Sequence, residues 1–448
     1  MPPPRAEPAA SDAADAAVLA MLRDSARRFP NKTALRRGPD ALTYDGLLRE
    51  IEKRARRIDR TEWVPLEAAD PVAFVTSFFA ARLAKTGAVA HGVQIPALLR
   101  ERREALLARW RPAGEESRTV FFSSGSVGDG RPVPLGDREI LAAASGYPES
   151  TDIEPSDCVA VGVSPAHVFG FVRGTIHPLS IGAEIVFFSP RRDPLAEAEA
   201  IGGTLVLLPG PLVSLSGRPS RRVRLRAVFS GGGALSEEAV SAVEQRRGVP
   251  VRLGYGLTET AGLGSRQRLS LPRRPGTSGL PAPTLAISIG DFDSGVELPP
   301  GRTGGIRIAG TSVFGGYAGD ESPNPFDERG RLETGDLGYF DEQGELVVRG
   351  RREFCIITQG RTLFAEEIEG AVGEHPGVLE VAVAPHGDSF AVLFVAREGA
   401  SALDAEIREF LQARLPAFAR PRKVLSVEAL PRHPSGKLDR RTISSWLA

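Results

Sequence analysis

The sequence predicts an α/β protein: a large N-terminal domain of α/β sheets plus a distorted β-barrel, followed by a small α+β C-terminal domain. Three observations carry this. Continuous apolar runs ending in Gly, Ser or Pro recur between residues 158 and 256, the pattern of buried parallel strands with loops at their carboxyl ends. From about Ser270 to Gly316 the runs shorten and are broken by Gly and Pro, as in a more antiparallel sheet or a distorted barrel. After Gly350 a fresh set of strands and helices begins. The expected divisions are a disordered tail over 1–14, an N-terminal domain over 15–349 and a C-terminal domain over 350–448.

Helical periodicity starts in "DAAVLAMLRDSARRF", where Val18, Met21, Leu22 and Ala26 fall on one face. "TALRRGPDALTYDGLLREIEKRARRI" reads as strand, Gly-Pro turn, short strand and helix, with Tyr44 packed rather than reactive. "PVAFVTSFFAARLAKTGAVAHG" is a buried strand or helix segment, and "IPALLRERREALLARW" an arginine-rich helix with a solvated face. The parallel strands are "CVAVGVS", "AEIVFFS", "GTLVLLP", "LRAVFSGGG" and "VPVRLGYG". "LAISIG", "GGIRIAG" and "SVFGGY" follow as shorter strands. In the last part, "GELVVRGRREFCIIT" suggests a hairpin and "AEEIEGAVGEHP" a helix. "VLEVAVAP" and "SFAVLFVA" are strands, and "LDAEIREFLQARL" is a helix with Leu403, Ile407, Phe410 and Leu411 on one side.

Composition narrows the function classes. The 448 residues carry 56 basic and 56 acidic side chains, so no overall charge favours nucleic acid or a membrane surface. Two cysteines, Cys158 and Cys355, make neither a disulfide framework nor a cysteine-rich zinc site. With no signal peptide and no apolar run long enough to span a bilayer, the expectation is a cytoplasmic enzyme. Only five of the basic residues are lysines, so a lysine inside a motif is informative.

One such motif candidate is "VFFSSGSVGDGRPVPLG" (120–136), where an apolar run empties into glycines and hydroxyls. Backbone amides, hydroxyls and a cation together suit a phosphate cradle. It is not a P-loop, because Arg131 and Pro132 replace the lysine and the Mg²⁺-binding hydroxyl, and Pro134 discourages an immediate helix. Further clusters end other strands: "SGGGAL" (230–235), "GYGLTETAG" (254–262), "ETGDLGYFDEQGEL" (333–346), "VRGRREF" (348–354) and "PSGKLDR" (434–440). Tyr255 can stack on a planar base, Thr258 meet a phosphate, Glu259 hold Mg²⁺ and Asp336 accept from ribose hydroxyls. Each alone has a plain reading as a turn cap, a packed side chain or a surface charge.

Their order and spacing resemble the adenylate-forming superfamily, which includes acyl-CoA synthetases, peptide-synthetase adenylation domains and luciferases. "SSGSVGDGRPVP" is similar to that family's T-S-G-S-T-G-x-P-K phosphate loop, and "GYGLTETAG" to its Y-G-x-T-E motif. "TGDLG", "GRREF" with "GRTLFAEEIE", and "LPRHPSGKLDR" follow in family order, and "FPNKTAL", "LTYDGLL", "SPAHVFG" and "PLSIGAEIVF" match earlier motifs. The resemblance runs from about residue 15 to the C-terminus. It implies a mobile C-terminal domain and two half-reactions. A carboxylate attacks the α-phosphate of ATP, giving an acyl- or aryl-adenylate and pyrophosphate, and a thiol then takes the acyl group. ATP and Mg²⁺ are implied, with CoA or a phosphopantetheinyl carrier protein as acceptor.

Carried across, Ser123, Ser124, Gly125, Ser126 and Arg131 cradle the phosphates. Gly232 and Gly233 border the adenine and Tyr255 lies against it. Thr258 bonds the α-phosphate, Glu259 ligates Mg²⁺, and Asp336 and Arg351 hold the ribose. Lys437 bridges carboxylate and α-phosphate oxygens. Glu353 is the hinge position, and Gly360 approaches the thiol substrate. His167 gates the acid pocket, and Val168 replaces the aspartate that pairs with an α-amine, so the expected substrate is an aryl or aliphatic carboxylic acid, not an α-amino acid. Val127, Gly130 and Arg131 depart from the family loop, which carries threonine, proline and lysine there. The alternatives are a ligase that loads a carrier protein, and a degenerate nucleotide-binding homologue without turnover.

Overall fold

The computed structural model describes residues 17–93, 95–110, 118–123, 130–147, 153–189, 193–209, 221–233, 235, 237–291, 294–319, 324–358, 361–397, 399–400, 403–415, 419–432 and 438–447. The expected N-terminal tail, Ser124, Gly125, Ser126, Val127, Gly360 and Lys437 lie outside these residues.

Helix α1 (Ala17–Arg28) precedes the hairpin β1 (Thr33–Arg37) and β2 (Asp40–Thr43), then α2 (Tyr44–Ala55) and β3 (Val64–Glu67). Thr43 caps α2 by accepting from Gly46 N at 3.0 Å, and Tyr44 is fully buried, its phenol donating to Ala183 O at 2.8 Å. The ambiguous apolar segment resolves into α3 (Pro71–Leu83) and β4 (Ala88–His91). Pro71 at the first turn and Asp70, which accepts from Val72 N and Ala73 N, set the start of α3. Its Phe74 and Phe78 both meet Phe171, which also meets Phe121, within the main core.

The chain continues through α4 (Ala97–Arg109), β5 (Thr119–Phe122), β6 (Pro132–Leu135), α5 (Asp137–Ser145) and β7 (Cys158–Val161). A π-helical segment, Phe169–Ile176, leads into α6 (His177–Ile181) and β8 (Glu184–Phe187). Then come α7 (Pro194–Ala200), β9 (Leu205–Pro209), β10 (Ala227–Gly231), α8 (Glu237–Arg247) and β11 (Val251–Gly256). Short β12 (Gly264–Arg266) and β13 (Leu280–Pro281) lead to β14 (Leu285–Gly290), β15 (Gly304–Gly310), β16 (Leu332–Phe340) and β17 (Leu346–Arg351).

Among the described residues these strands form three sheets. The largest has the order β13-β12-β11-β10-β9-β7-β8-β1-β2, parallel from β11 to β1. Its central strands are buried on both faces, which is why they read as unbroken apolar runs. A smaller sheet, β3-β4-β5-β6, is parallel except for the β5–β6 pair. The third, β14-β15-β16-β17, is an antiparallel meander that stays open, with no closed barrel among the described residues. "SVFGGY" is turn rather than strand.

The C-terminal small domain holds the hairpin β18 (Cys355–Thr358) and β19 (Arg361–Phe364), α9 (Ala365–Gly373), β20 (Val378–His386), β21 (Ser389–Ala396), α10 (Leu403–Arg414), β22 (Lys423–Ser426) and α11 (Arg440–Ser445). Ile368, Phe390, Phe394, Ile407 and Leu411 centre its own apolar core. The expected hairpin across 344–358 is instead split: β17 pairs with β16, and β18 with β19. The polar run Arg352–Phe354 interrupts the apolar alternation and forms one 3₁₀ turn between them.

Candidate active site

A cleft of about 2310 Å³ opens where β10 and β11 end, beside the first half of β16, and the small domain faces them. Its lining contains each of the described site residues expected from the sequence: Ser123, Arg131, His167, Val168, Gly232, Gly233, Tyr255, Thr258, Glu259, Asp336, Arg351 and Glu353.

The glycine-rich loop is the connection of the β5–β6 hairpin, and the hairpin fixes its base. Ser123 N donates to Arg131 O at 2.9 Å, and Arg131 N donates to Ser123 Oγ at 3.1 Å. Gly130 makes this closure possible with φ +70°, and a Cβ there would lie 2.5 Å from Ser123 O. Proline, with φ near −65°, cannot occupy that conformation. The Arg103 guanidinium of α4 sits 3.7 Å from the centre of the Phe122 ring, against the same base.

On the same cleft, β10 ends in Gly231. Gly232 has φ +84°, and a Cβ there would meet the His167 ring at 3.4 Å. His167 Nδ1 accepts from Phe169 N at 3.3 Å, turning the ring at the entrance to the π-helical segment. On the opposite wall, the Tyr255 phenol donates to Asp336 Oδ2 at 2.6 Å. Burial, reinforced by the Asp336 charge, pushes the phenol well above its usual pKa, so it stays a donor. Cross-strand register places Asp336 opposite Arg351, whose Nε is 3.5 Å from Asp336 Oδ1 and 3.5 Å from a Glu353 carboxylate oxygen.

Glu259 lies on the single 3₁₀ turn 258–260 after β11, and its backbone carbonyl accepts from Phe314 N at 2.9 Å. Sequence reading missed its side-chain partner. Tyr317 donates its phenol to Glu259 Oε1 at 2.8 Å, and the Arg131 guanidinium stands 5.2 Å over the Tyr317 ring. Tyr317 therefore ties the cation of the glycine-rich loop to the carboxylate of the 258–260 turn. Among the described residues no three acidic, histidine or cysteine side chains converge on one point. One carboxylate beside a polyphosphate fits Mg²⁺, which keeps waters and phosphate oxygens as its other ligands.

Lys437 lies outside the described residues, but its flanks approach the cleft: Arg432 and Leu438 form a β-bridge and both line it. Two ion pairs, Arg349–Glu367 and Arg440–Glu369, brace α9, the first of them against β17.

Residues 93–318 match the AMP-binding enzyme family, and residues 367–437 match the AMP-binding enzyme C-terminal domain. The chain belongs to the AMP-binding enzyme family. The AMP-binding chain is 31% identical over 344 residues to sulfoacetate–CoA ligase of Cupriavidus necator, covering 73% of this chain and 67% of that one. It is 31% identical over 350 residues to 4-coumarate–CoA ligase-like 4 of Oryza sativa, covering 74% of this chain and 63% of the rice protein. The chain thus spans less than two thirds of the rice protein's length. In fold it is similar to O-succinylbenzoate coenzyme A synthetase of Bacillus subtilis in complex with AMP, at TM-score 0.84 and 22% identity, covering 94% and 97% of the two chains.

Proposed function

We propose that this AMP-binding enzyme is an ATP-dependent ligase that joins a carboxylic acid to the thiol of CoA through an acyl-adenylate. The observation that carries the reading is the arrival of Arg131, Glu259, Asp336 and Arg351, from four separate segments, on one cleft that the flanks of Lys437 also line. The similarity to sulfoacetate–CoA ligase and to 4-coumarate–CoA ligase-like 4 supports CoA as acceptor.

In the first step a carboxylate oxygen attacks the α-phosphorus, the bond to the bridging oxygen breaks, and pyrophosphate leaves. The attacking carboxylate and the polyphosphate repel, so the barrier falls with aligned cations and donors. Asp336, oriented by Tyr255, accepts from the ribose hydroxyls, and Arg351 holds the same carboxylate's other side. Ser123 and Arg131 hold the outer phosphates, with Ser124, Gly125 and Ser126 completing the loop. Thr258 bonds the α-phosphate, and Glu259 is the protein ligand for Mg²⁺, which neutralises polyphosphate charge. Lys437 brings a compact cation between the two reacting oxygens. In the second step the thiolate sulfur attacks the acyl carbon and AMP leaves with the C–O bond electrons. For this the small domain turns about Glu353, on the one turn joining β17 to β18, and brings Gly360 toward the thiol. No helix among the described residues is long and apolar enough to cross a membrane.

The test is pyrophosphate release across a panel of carboxylic acids with ATP and Mg²⁺, followed by thioester formation with CoA or a holo-carrier protein. Lys437→Ala is expected to lower adenylation by at least about a hundredfold, in keeping with loss of a transition-state cation. Adenylate formation at the parent rate in that variant overturns the role of Lys437, and no pyrophosphate with any acid overturns the ligase reading.

A further inference from the structure

Arg173 and Arg266 are buried arginines that line the cleft. The π-helical segment carries Arg173 onto the cleft wall with only 2% of its surface exposed. Its guanidinium lies 4.5 Å from the ring centre of Tyr147 and 4.5 Å from that of Phe229. Arg266, 7% exposed, lines the same wall 5.5 Å from the Tyr147 ring and donates to Gly146 O at 2.6 Å. Nearby, Ser265 and Ser278 pair their hydroxyls at 2.7 Å, also on the cleft wall. The buried His177, its ring 5.3 Å from Tyr147, is held neutral by burial and by the same two arginines.

Position decides what these cations can read. Phe229, whose ring the Arg173 guanidinium faces, precedes Gly231 by two residues on β10, about 7 Å back along the strand from the glycine mouth. The mouth is where His167, Gly232 and Thr258 gather and where the reacting carboxylate must meet the α-phosphate. A carboxylate bound by Arg173 would be held away from that phosphorus. This wall therefore suits a different group of the same substrate. Two aromatic contacts fix the guanidinium plane, and a fixed fork recognises planar or tetrahedral oxyanions by paired N–H donation. The same positive field opposes an ammonium, in keeping with Val168 where an amine-pairing aspartate would stand.

We propose that the acid substrate carries a second anionic group, a carboxylate or sulfonate, remote from the reacting carboxylate, and that Arg173 reads it with Arg266 beside it. This rests on the ligase reading above for the identity of the reacting end. The test measures kcat/KM for pyrophosphate release with straight-chain dicarboxylates, phthalate isomers and sulfonated carboxylic acids. Each is run beside the monocarboxylate in which a methyl group replaces the second anion. Calorimetry measures binding of the same acids to the protein without ATP. The dianionic acids are expected to exceed their monoanionic partners by about 10- to 100-fold, the usual worth of a charged hydrogen bond. Arg173→Met is expected to remove most of that ratio and Arg173→Lys to keep part of it. The straight-chain and sulfonated arms tell carboxylate from sulfonate. Equal or better use of the monoanionic acids by the parent protein overturns the inference and leaves the ligase standing, as does an unchanged ratio in Arg173→Met. Arg173-dependent binding of a dianion, with no pyrophosphate released from any acid of the panel, supports the anion site and removes the ligase reading. Absence of both binding and turnover for every dianion overturns the inference. If Arg173→Met does not fold, the parent panel and Arg173→Lys decide.

Discussion

The phenol of Tyr255 and the carboxylate of Asp336, eighty-one positions apart in sequence, are joined by a 2.6 Å hydrogen bond across the mouth of the cleft. The bond aims the Asp336 carboxylate from the end of β11 while Arg351 approaches its other oxygen from β17. A carboxylate held on both sides would lose little freedom on accepting the ribose hydroxyls proposed for it, and that preorganisation is what Tyr255 would add beyond its ring.

Tyr255→Phe separates the two contributions, because it keeps the ring and removes the donor. It is expected to weaken ATP binding about 5- to 10-fold, less than the full worth of a hydrogen bond to a charged group because Arg351 still holds the other oxygen, with a smaller change in kcat. Calorimetric titration with ATP and KM for ATP check this. An unchanged affinity would mean that Arg351 alone orients Asp336.

Much of this arrangement is legible in the sequence, and the reasons for what is not are physical. Strands β7, β8 and β10 announce themselves because strands buried on both faces must be apolar throughout. The segment 344–358 misleads because two strands of different sheets lie end to end, and only long-range pairing reveals the break at Arg352. The π-helical segment has no periodicity distinct from an α-helix over eight residues. Tyr317 hides in a stretch with a strand-like composition that is in fact turn. Arg173 and Arg266 hide for another reason: in a chain that uses arginine for its surface charge, composition cannot mark the buried ones.

Tyr317 leads to a second prediction. Its phenol holds Glu259 at 2.8 Å and its ring faces the Arg131 guanidinium, so it acts through both. Tyr317→Phe is expected to raise the Mg²⁺ concentration needed for half-maximal adenylation about 3- to 10-fold, with ATP binding in the absence of metal little changed. A loss confined to thermal stability, with the Mg²⁺ dependence unmoved, would mark Tyr317 as packing only.

Gly130 tests how the unusual loop is closed. Its φ of +70° and the 2.5 Å approach of Ser123 O to a Cβ leave no room for a side chain. Gly130→Ala is expected to cost about 1–3 kcal/mol of strain at the hairpin base and to raise KM for ATP. Gly130→Pro, which restores the residue of the family pattern, is expected to be worse than alanine, since it also fixes φ with the wrong sign. Urea unfolding and KM for ATP compare the two. A proline variant that binds ATP as tightly as the parent would show that the loop closes by another route.

Acid lability follows from two buried histidines. His91 and His177 are 0% and 2% exposed, and burial lowers the pKa of each, with Arg173 and Arg266 adding to the effect at His177. Both rings are neutral in the folded protein, whereas in the unfolded chain they take up protons as pH falls below the ordinary value of 6.5. The unfolded state then binds more protons than the folded one, so stability is complete above that value. It declines as pH drops through the interval down to each depressed folded pKa, at up to about 1.4 kcal/mol per pH unit per group. Chemical denaturation between neutrality and pH 5 is expected to show this slope, and His177→Gln to reduce it by about one proton's worth even where the substitution itself destabilises. The slope, not the absolute stability, is the readout, because loss of packing shifts the whole curve without changing its dependence on pH. An identical slope in parent and variant would mean that His177 is protonated inside the fold, which two guanidiniums beside Tyr147 oppose.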